Sequence, residues 1–253
     1  MVVRQNWTWD ETLKAFALYF LLPSGQHDKK NKDVIALAES IGRTPNAVGL
    51  KLGNIKACDP MRHGKGLSHG SKLDAKVWDV FQERGDALLE EALDLLADGM
   101  TGAHHPVNAI DYLGRELPVG RERAVIATAR ANQTYFRNIL LENYEHRCCV
   151  SGLAVDQLLV ASHIKPWHEA DPVTERLSPE NGLLLDALHD KAFDKGLMTI
   201  DFDYRVVISP KVPRDDAGQS LLWRYEGQQI KVPRRFKPRR EFIEYHNDLI
   251  FQH

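Results

Sequence analysis

Eleven residues, Ala161 to Asp171, read ASHIKPWHEAD and gather His163, Lys165, Trp167 and His168 in one short stretch. A hydrophobic core has little use for that mixture. Further on stand Asn181 and His189, the latter between Asp186 and Asp190. These types suit metal-assisted hydrolysis of a phosphodiester. The attacking water needs a base that titrates near neutrality, and histidine is the side chain that supplies one. The crowded phosphate and the departing 3′ oxygen need a cation, and a hard divalent ion accepts imidazole and carboxylate ligands. The base also needs a fixed tautomer, which an amide side chain or a backbone carbonyl can enforce.

Such groups act only if the chain brings them together. LLVAS, Leu158 to Ser162, reads as a short apolar strand, and the loop after it carries Pro166, Pro172 and Pro179. NGLLL, Asn181 to Leu185, gives a turn and a second strand, and ALHDKAFDKG a brief helix closed by Gly196. The order is strand, His163, loop, Asn181, strand, helix with His189. That order predicts a β-hairpin with a helix packed across it, carrying His189 towards His163. Asn181 reads either as a residue that hydrogen-bonds the His163 loop or as a turn residue before glycine. LMTIDFDYRVVIS then supplies two more strands, and REFIEYHNDLIF a closing helix.

The N-terminal half reads as all helix. Thr8 and Glu11 form a capping-box pair ahead of Leu13, Phe16, Ala17 and Phe20. IALAESIGRTPNAVGLKL reads as helix, turn, helix, with Thr44 as cap and Pro45 in the first turn. This is the outline of a helix-turn-helix whose Arg43, Asn46 and Lys51 would face a DNA groove, and equally of a plain helical hairpin. The expected organisation is a helical domain over 1–100, a linker over 101–120 and a second domain over 121–253. The second domain opens with a long helix from about Arg121 to Glu145. His63, His69, His104 and His105 fall in glycine-rich polar stretches and read as loop residues.

Composition narrows the class. Hydrophobic residues make up 43% and charged residues 27%, and no window approaches the roughly 18 apolar residues of a membrane span. The N-terminus lacks the apolar core of a secretory signal, so the expected location is the cytoplasm. Three cysteines, two of them adjacent, do not make a disulfide framework and read as buried reduced thiols. Net charge is −2, yet KVPRRFKPRR, Lys231 to Arg240, holds six positive charges in ten residues with no acid. Such a run contacts phosphates or lies solvated on the surface.

As a set, SHIKPW, NGLLL and HDKAFDKG, with RCCVSG before and GLMTID after, resemble the HNH endonucleases of the ββα-metal fold, in the branch common among restriction and defence nucleases. The resemblance covers about Arg121 to Phe251. It implies an α+β chain in which a helical N-terminal domain precedes a ββα-metal nuclease domain with flanking helices and a β-hairpin. It also implies His163 as general base, Asn181 as the residue orienting its loop and His189 as a metal ligand. Ser162 stands where many relatives carry an acid or histidine that binds the metal, so either the ion is held by fewer side chains or Asp190 or Asp186 joins the ligand set. The implied ion is Mg²⁺, with Mn²⁺ or another divalent ion as substitutes. The implied substrate is double-stranded DNA; the residues expected to contact it are Lys165 in the histidine loop, Arg43 and Lys51 if the helix-turn-helix reading holds, and Arg234, Arg235, Arg239 and Arg240 in the basic run. Cutting both strands needs two active sites, hence an expected homodimer. Two other readings stand beside this one: a nuclease effector licensed by a ligand or partner through the N-terminal half, and a non-catalytic DNA-binding regulator.

Overall fold

The structure is a computed structural model that describes residues 6–23, 25–61, 71–98 and 121–253, without the side chains of 121–127 and 130. The loop histidines His63, His69, His104 and His105, and the expected linker over 101–120, lie outside the described residues. The chain divides into two compact units, Met1–Tyr135 and Phe136–His253. The division falls inside one long helix.

The first unit is helical. It comprises α1 (Trp9–Leu21), α2 (Lys32–Ser40), α3 (Pro45–Cys58), α4 (Lys72–Arg84), α5 (Asp86–Asp98) and the first part of α6 (Arg121–Asn143). The α1 capping box forms as the sequence requires, with Thr8 accepting from the Glu11 backbone and Glu11 from that of Thr8. Its core is aromatic: Phe20 stacks on Tyr135 at 4.3 Å, and Phe16 meets Trp78 edge-on at 4.9 Å. Asp59 accepts the hydroxyls of Tyr19 and Tyr135 at 2.7 and 2.9 Å. Gly42, at φ +66°, ends the α2 segment, and Thr44 caps α3 with Pro45 in its first turn. Lys51 departs from the expected groove-facing position. Its side chain is 2% exposed and pairs with fully buried Asp74. Arg43 is likewise held, by Glu11 at 2.8 Å and the Asn6 carbonyl. Both cations are engaged inside the helical unit, because a buried charge needs a partner.

The second unit contains β1 (Leu159–His163), β2 (Gly182–Asp186), α7 (Ala187–Asp194), β3 (Met198–Ile200), β4 (Val206–Ile208), α8 (Asp216–Leu221) and α9 (Arg240–Leu249). β1 and β2 pair antiparallel, from Leu159 opposite Asp186 to His163 opposite Gly182. His163 is therefore the last residue of the strand rather than the first of the loop. β2 is buried along its whole length, as its apolar run Leu183–Leu185 demands. Asp186 ends β2 and caps α7, accepting from the backbone N–H groups of Leu188 and His189 at 3.1 Å each. α7 then packs against both strands of the hairpin. β3 and β4 form a second antiparallel pair, and α9 lies against β3. The sequence reading did not anticipate α8.

Gly182 sets how closely α6 can approach the hairpin. A Cβ there would fall 2.6 Å from Leu140 Cδ1 and 2.7 Å from Phe136 Cζ. Both side chains are at most 2% exposed, so neither can swing into solvent. Gly182→Ala is expected to lower the stability of the second unit by about 1–3 kcal/mol, read as a lower urea midpoint at unchanged slope. An unchanged midpoint would show that α6 shifts freely.

Candidate active site

His163 is fixed on three sides. Its Nε2 lies 2.9 Å from the Arg176 carbonyl oxygen, which can only accept. Nε2 must therefore carry the ring proton, and Nδ1 keeps its lone pair. Phe136 lies flat against one face of the imidazole, with centroids 3.9 Å apart and planes 9° from parallel. Trp167 meets the ring edge-on at 5.6 Å. Burial pushes the His163 pKa below its ordinary 6.5, outweighing the contrary pull of the Arg176 carbonyl. The neutral, base-competent form is thus the resting one near neutral pH.

Asn181 is fully buried and spans the root of the loop between the strands. Its Oδ1 accepts from the Lys165 backbone N–H at 2.8 Å, and its Nδ2 donates to the carbonyls of Lys165 at 3.1 Å and Glu175 at 3.5 Å. The Asn181 carbonyl accepts from the Ile164 N–H at 3.0 Å. Three polar atoms of one residue thereby hold both ends of the loop that follows the base. Within the loop, Arg176 Nε donates to the carbonyls of Trp167 and Ala170, which places the carbonyl that His163 needs. Lys165 pairs with Glu175 at 2.6 Å.

Two separate cavities receive the remaining acids and histidines. A cleft of about 610 Å³ is lined by Ser162, His163, Trp167, Asp190, Asp194 and His246, among others. Burial raises the Asp190 pKa above the ordinary carboxylate value, a shift that a hydrogen bond with Ser162 only partly offsets. His189 and Asp186 line a different cavity, of about 430 Å³, on the Ser151 and Tyr225 side. The sequence reading had both imidazoles meeting at one ion; the structure gives His163 and His189 different cavities. α7 explains the difference: Asp190 follows His189 directly, and adjacent helix residues point about 100° apart.

Around His189, Nδ1 lies 2.8 Å from Asp186 Oδ2, and the Ser151 hydroxyl donates to the same oxygen at 2.5 Å. Donor atoms of Cys148, Asp186 and His189 all fall within 4.8 Å of one another, a spacing from which a metal could be held. Burial alone would lower the His189 pKa, but the Asp186 carboxylate and the Cys148 sulfur raise it to about 9. Burial likewise acts to raise Asp186 and Cys148, yet both end lowered, through His189 and Ser151. Each Asp186 oxygen already accepts two hydrogen bonds. The cluster braces the β2–α7 junction against the turn at Cys148, while His189 Nε2 is buried with no hydrogen-bond partner among the described residues. Sequence reasoning took Cys148 only as a buried thiol. The signal it passed over is a matched pair of two-residue gaps, Cys148 to Ser151 and Asp186 to His189.

The basic segment is exposed at Arg234, Arg235, Arg239 and Arg240. Arg239 is engaged by Glu180 at 2.5 Å, and Arg240 lies over the Phe202 ring at 4.1 Å.

A buried β-hairpin crossed by one helix, with a histidine at the end of its first strand and an asparagine opening its second, is the ββα arrangement of phosphodiester-cleaving nucleases. Residues 148–201 match the family model described as HNH endonuclease. Among solved structures, a protein titled "Modification dependent TagI restriction endonuclease" is similar at 23% identity with a TM-score of 0.33. That similarity covers 43% of this chain and 35% of the other, so the chain spans about a third of that enzyme's length. No curated protein matches the chain.

His246 of α9 completes the cleft floor. It is 1% exposed, bonds Thr199 Oγ1 through Nδ1 and the Phe193 carbonyl through Nε2, and stacks on Phe193 at 3.7 Å. Burial lowers its pKa from 6.5 to about 4. Between those values the unfolded chain binds a proton that the folded chain refuses, so stability falls as pH drops from about 6.5 to about 4. Unfolding across that window is expected to show a His246 contribution on the order of 3 kcal/mol. A His246→Gln variant with the same pH dependence as the parent would remove the contribution.

Proposed function

We propose that the second unit is a metal-assisted DNA endonuclease in which His163 activates the attacking water through Nδ1. The observation that carries this reading is the His163 Nε2 contact with the Arg176 carbonyl beside an open cleft. A base needs a lone pair aimed at water and a tautomer that cannot invert, and this contact supplies both. Asn181 acts on the loop backbone and not on substrate, since all its polar atoms are engaged with the loop. The phosphodiester lies in the cleft, with its phosphorus within reach of water on Nδ1.

The cleft also has the chemistry for a hard divalent ion. Asp190 is a half-buried carboxylate whose pKa is raised by burial, with the neighbouring carboxylates Asp194 and Asp186 adding to the shift and Ser162 and Lys191 only partly offsetting it. Its oxygen donor suits Mg²⁺ or Mn²⁺ better than a thiophilic ion. When bound, the ion supplies positive charge for the phosphate and the departing 3′ oxygen. His189 and Asp186, which the resemblance placed on the ion, serve in this reading as the brace beneath α7, so the ion falls to Asp190.

Double-stranded DNA is the substrate, and Arg234, Arg235 and Arg240 contact its phosphates, with Lys165 at the loop. Arg43 and Lys51 are excluded from that contact by their partners. Restriction of foreign DNA is the biological role, carried out by a homodimer that cuts both strands in the cytoplasm. No helix among the described residues is long and apolar enough to cross a membrane.

His163→Ala is expected to lower plasmid cleavage by about 10²–10⁴-fold with folding and DNA affinity retained. Parental rates in that variant would take His163 out of the reaction. Asp190→Asn is expected to raise the Mg²⁺ or Mn²⁺ concentration needed for half-maximal cutting. The acid limb of the rate profile should lie below pH 6.5, following the lowered His163 pKa. Neutralising Arg234, Arg235 and Arg240 together should reduce the salt slope of DNA binding by about one unit for each phosphate that is no longer neutralised. A slope that stays put would make the segment a solvated surface.

A further inference from the structure

We infer that Phe136 is a positioning residue for the catalytic base. It stands on α6, outside the segment that matches the HNH endonuclease family. The inference rests on the reading of His163 as the base.

The imidazole has two rotations to lose before its lone pair is aimed. The Arg176 carbonyl removes one by holding Nε2, so the ring cannot flip within its plane. That bond alone leaves the ring free to rock about the Nε2 direction. A flat surface against the face removes the second rotation, and Phe136 provides it at 3.9 Å and 9°. The Nδ1 lone pair lies in the ring plane, at the edge. The stack therefore fixes the base without covering the atom that takes the proton. It also denies water one whole face of the ring.

The surrounding residues hold Phe136 to this place. Phe136 is 2% exposed, and its Cζ lies 2.7 Å from where a Cβ on Gly182 would stand, Gly182 being the residue paired with His163 across the hairpin. A side chain on residue 182 would push the phenyl ring off the imidazole. This gives the glycine after Asn181 a purpose beyond the turn: it admits the ring that orients the base.

The test compares Phe136→Leu with the parent and with His163→Ala in the full chain. Leucine refills most of the volume without offering a flat face, so the variant should fold. Its kcat should fall by about 10–100-fold, with KM and DNA affinity unchanged, since only the aim of the base is altered. Proton NMR supplies a second readout: His163 ring protons over the Phe136 face should show an upfield ring-current shift that Phe136→Leu abolishes. A folded Phe136→Leu protein with parental kcat would overturn the inference. So would parental His163 shifts that show no ring current, a result that stands even if the variant fails to fold. Should His163→Ala cleave at the parental rate, the reading of the base fails instead, and the two failures are told apart.

Discussion

One hydrogen bond sets the chemistry of the nuclease unit: the contact between His163 Nε2 and the Arg176 carbonyl. A carbonyl oxygen has no proton to give, so the tautomer follows without choice. The bond spans thirteen residues, and each of them must be held for the carbonyl to arrive. Asn181 closes the loop at its root, Arg176 ties its own side chain to Trp167 and Ala170, and Lys165 pairs with Glu175. The loop has neither strand nor α-helix of its own. Its order comes from polar groups that have no alternative partners in a half-buried place.

Two neighbouring residues of α7 show how one helix serves two chemistries. His189 is drawn into a cluster with Asp186 and Cys148, whose carboxylate and sulfur raise its pKa. Asp190 turns to the His163 cleft, where burial and the nearby carboxylates Asp194 and Asp186 raise its pKa. The first arrangement braces α7, with His189 Nε2 left buried and unpartnered among the described residues. The second sets a half-buried carboxylate beside an open cleft and suits a site that receives an ion with its substrate. Assigning roles from electrostatic need separates them, although along the chain they are adjacent.

Much of this was legible in the sequence. Periodicity and caps placed most of the helices, and turn residues placed the two hairpins. Local rules suffice where an element is decided by its own residues, as with Thr8 and Glu11 or Thr44 and Pro45. The residue types in ASHIKPWHEAD already indicated water activation. What the sequence did not carry were relations across the fold. Lys51 looks like any surface cation until Asp74 is seen beside it. Phe136 looks like one more apolar position on a helix until the imidazole lies on it. His189 and Asp190 differ by one step along the chain, and only the packing of α7 shows which faces the cleft.

The proposed chemistry depends most heavily on the protonation pattern of one ring. Histidine ¹⁵N–¹H correlation spectra of the full chain at neutral pH, with His163 assigned by substitution, read it directly. The expected result is a neutral His163 protonated on Nε2, with Nδ1 bare. A ring protonated on Nδ1, or charged at that pH, would contradict it.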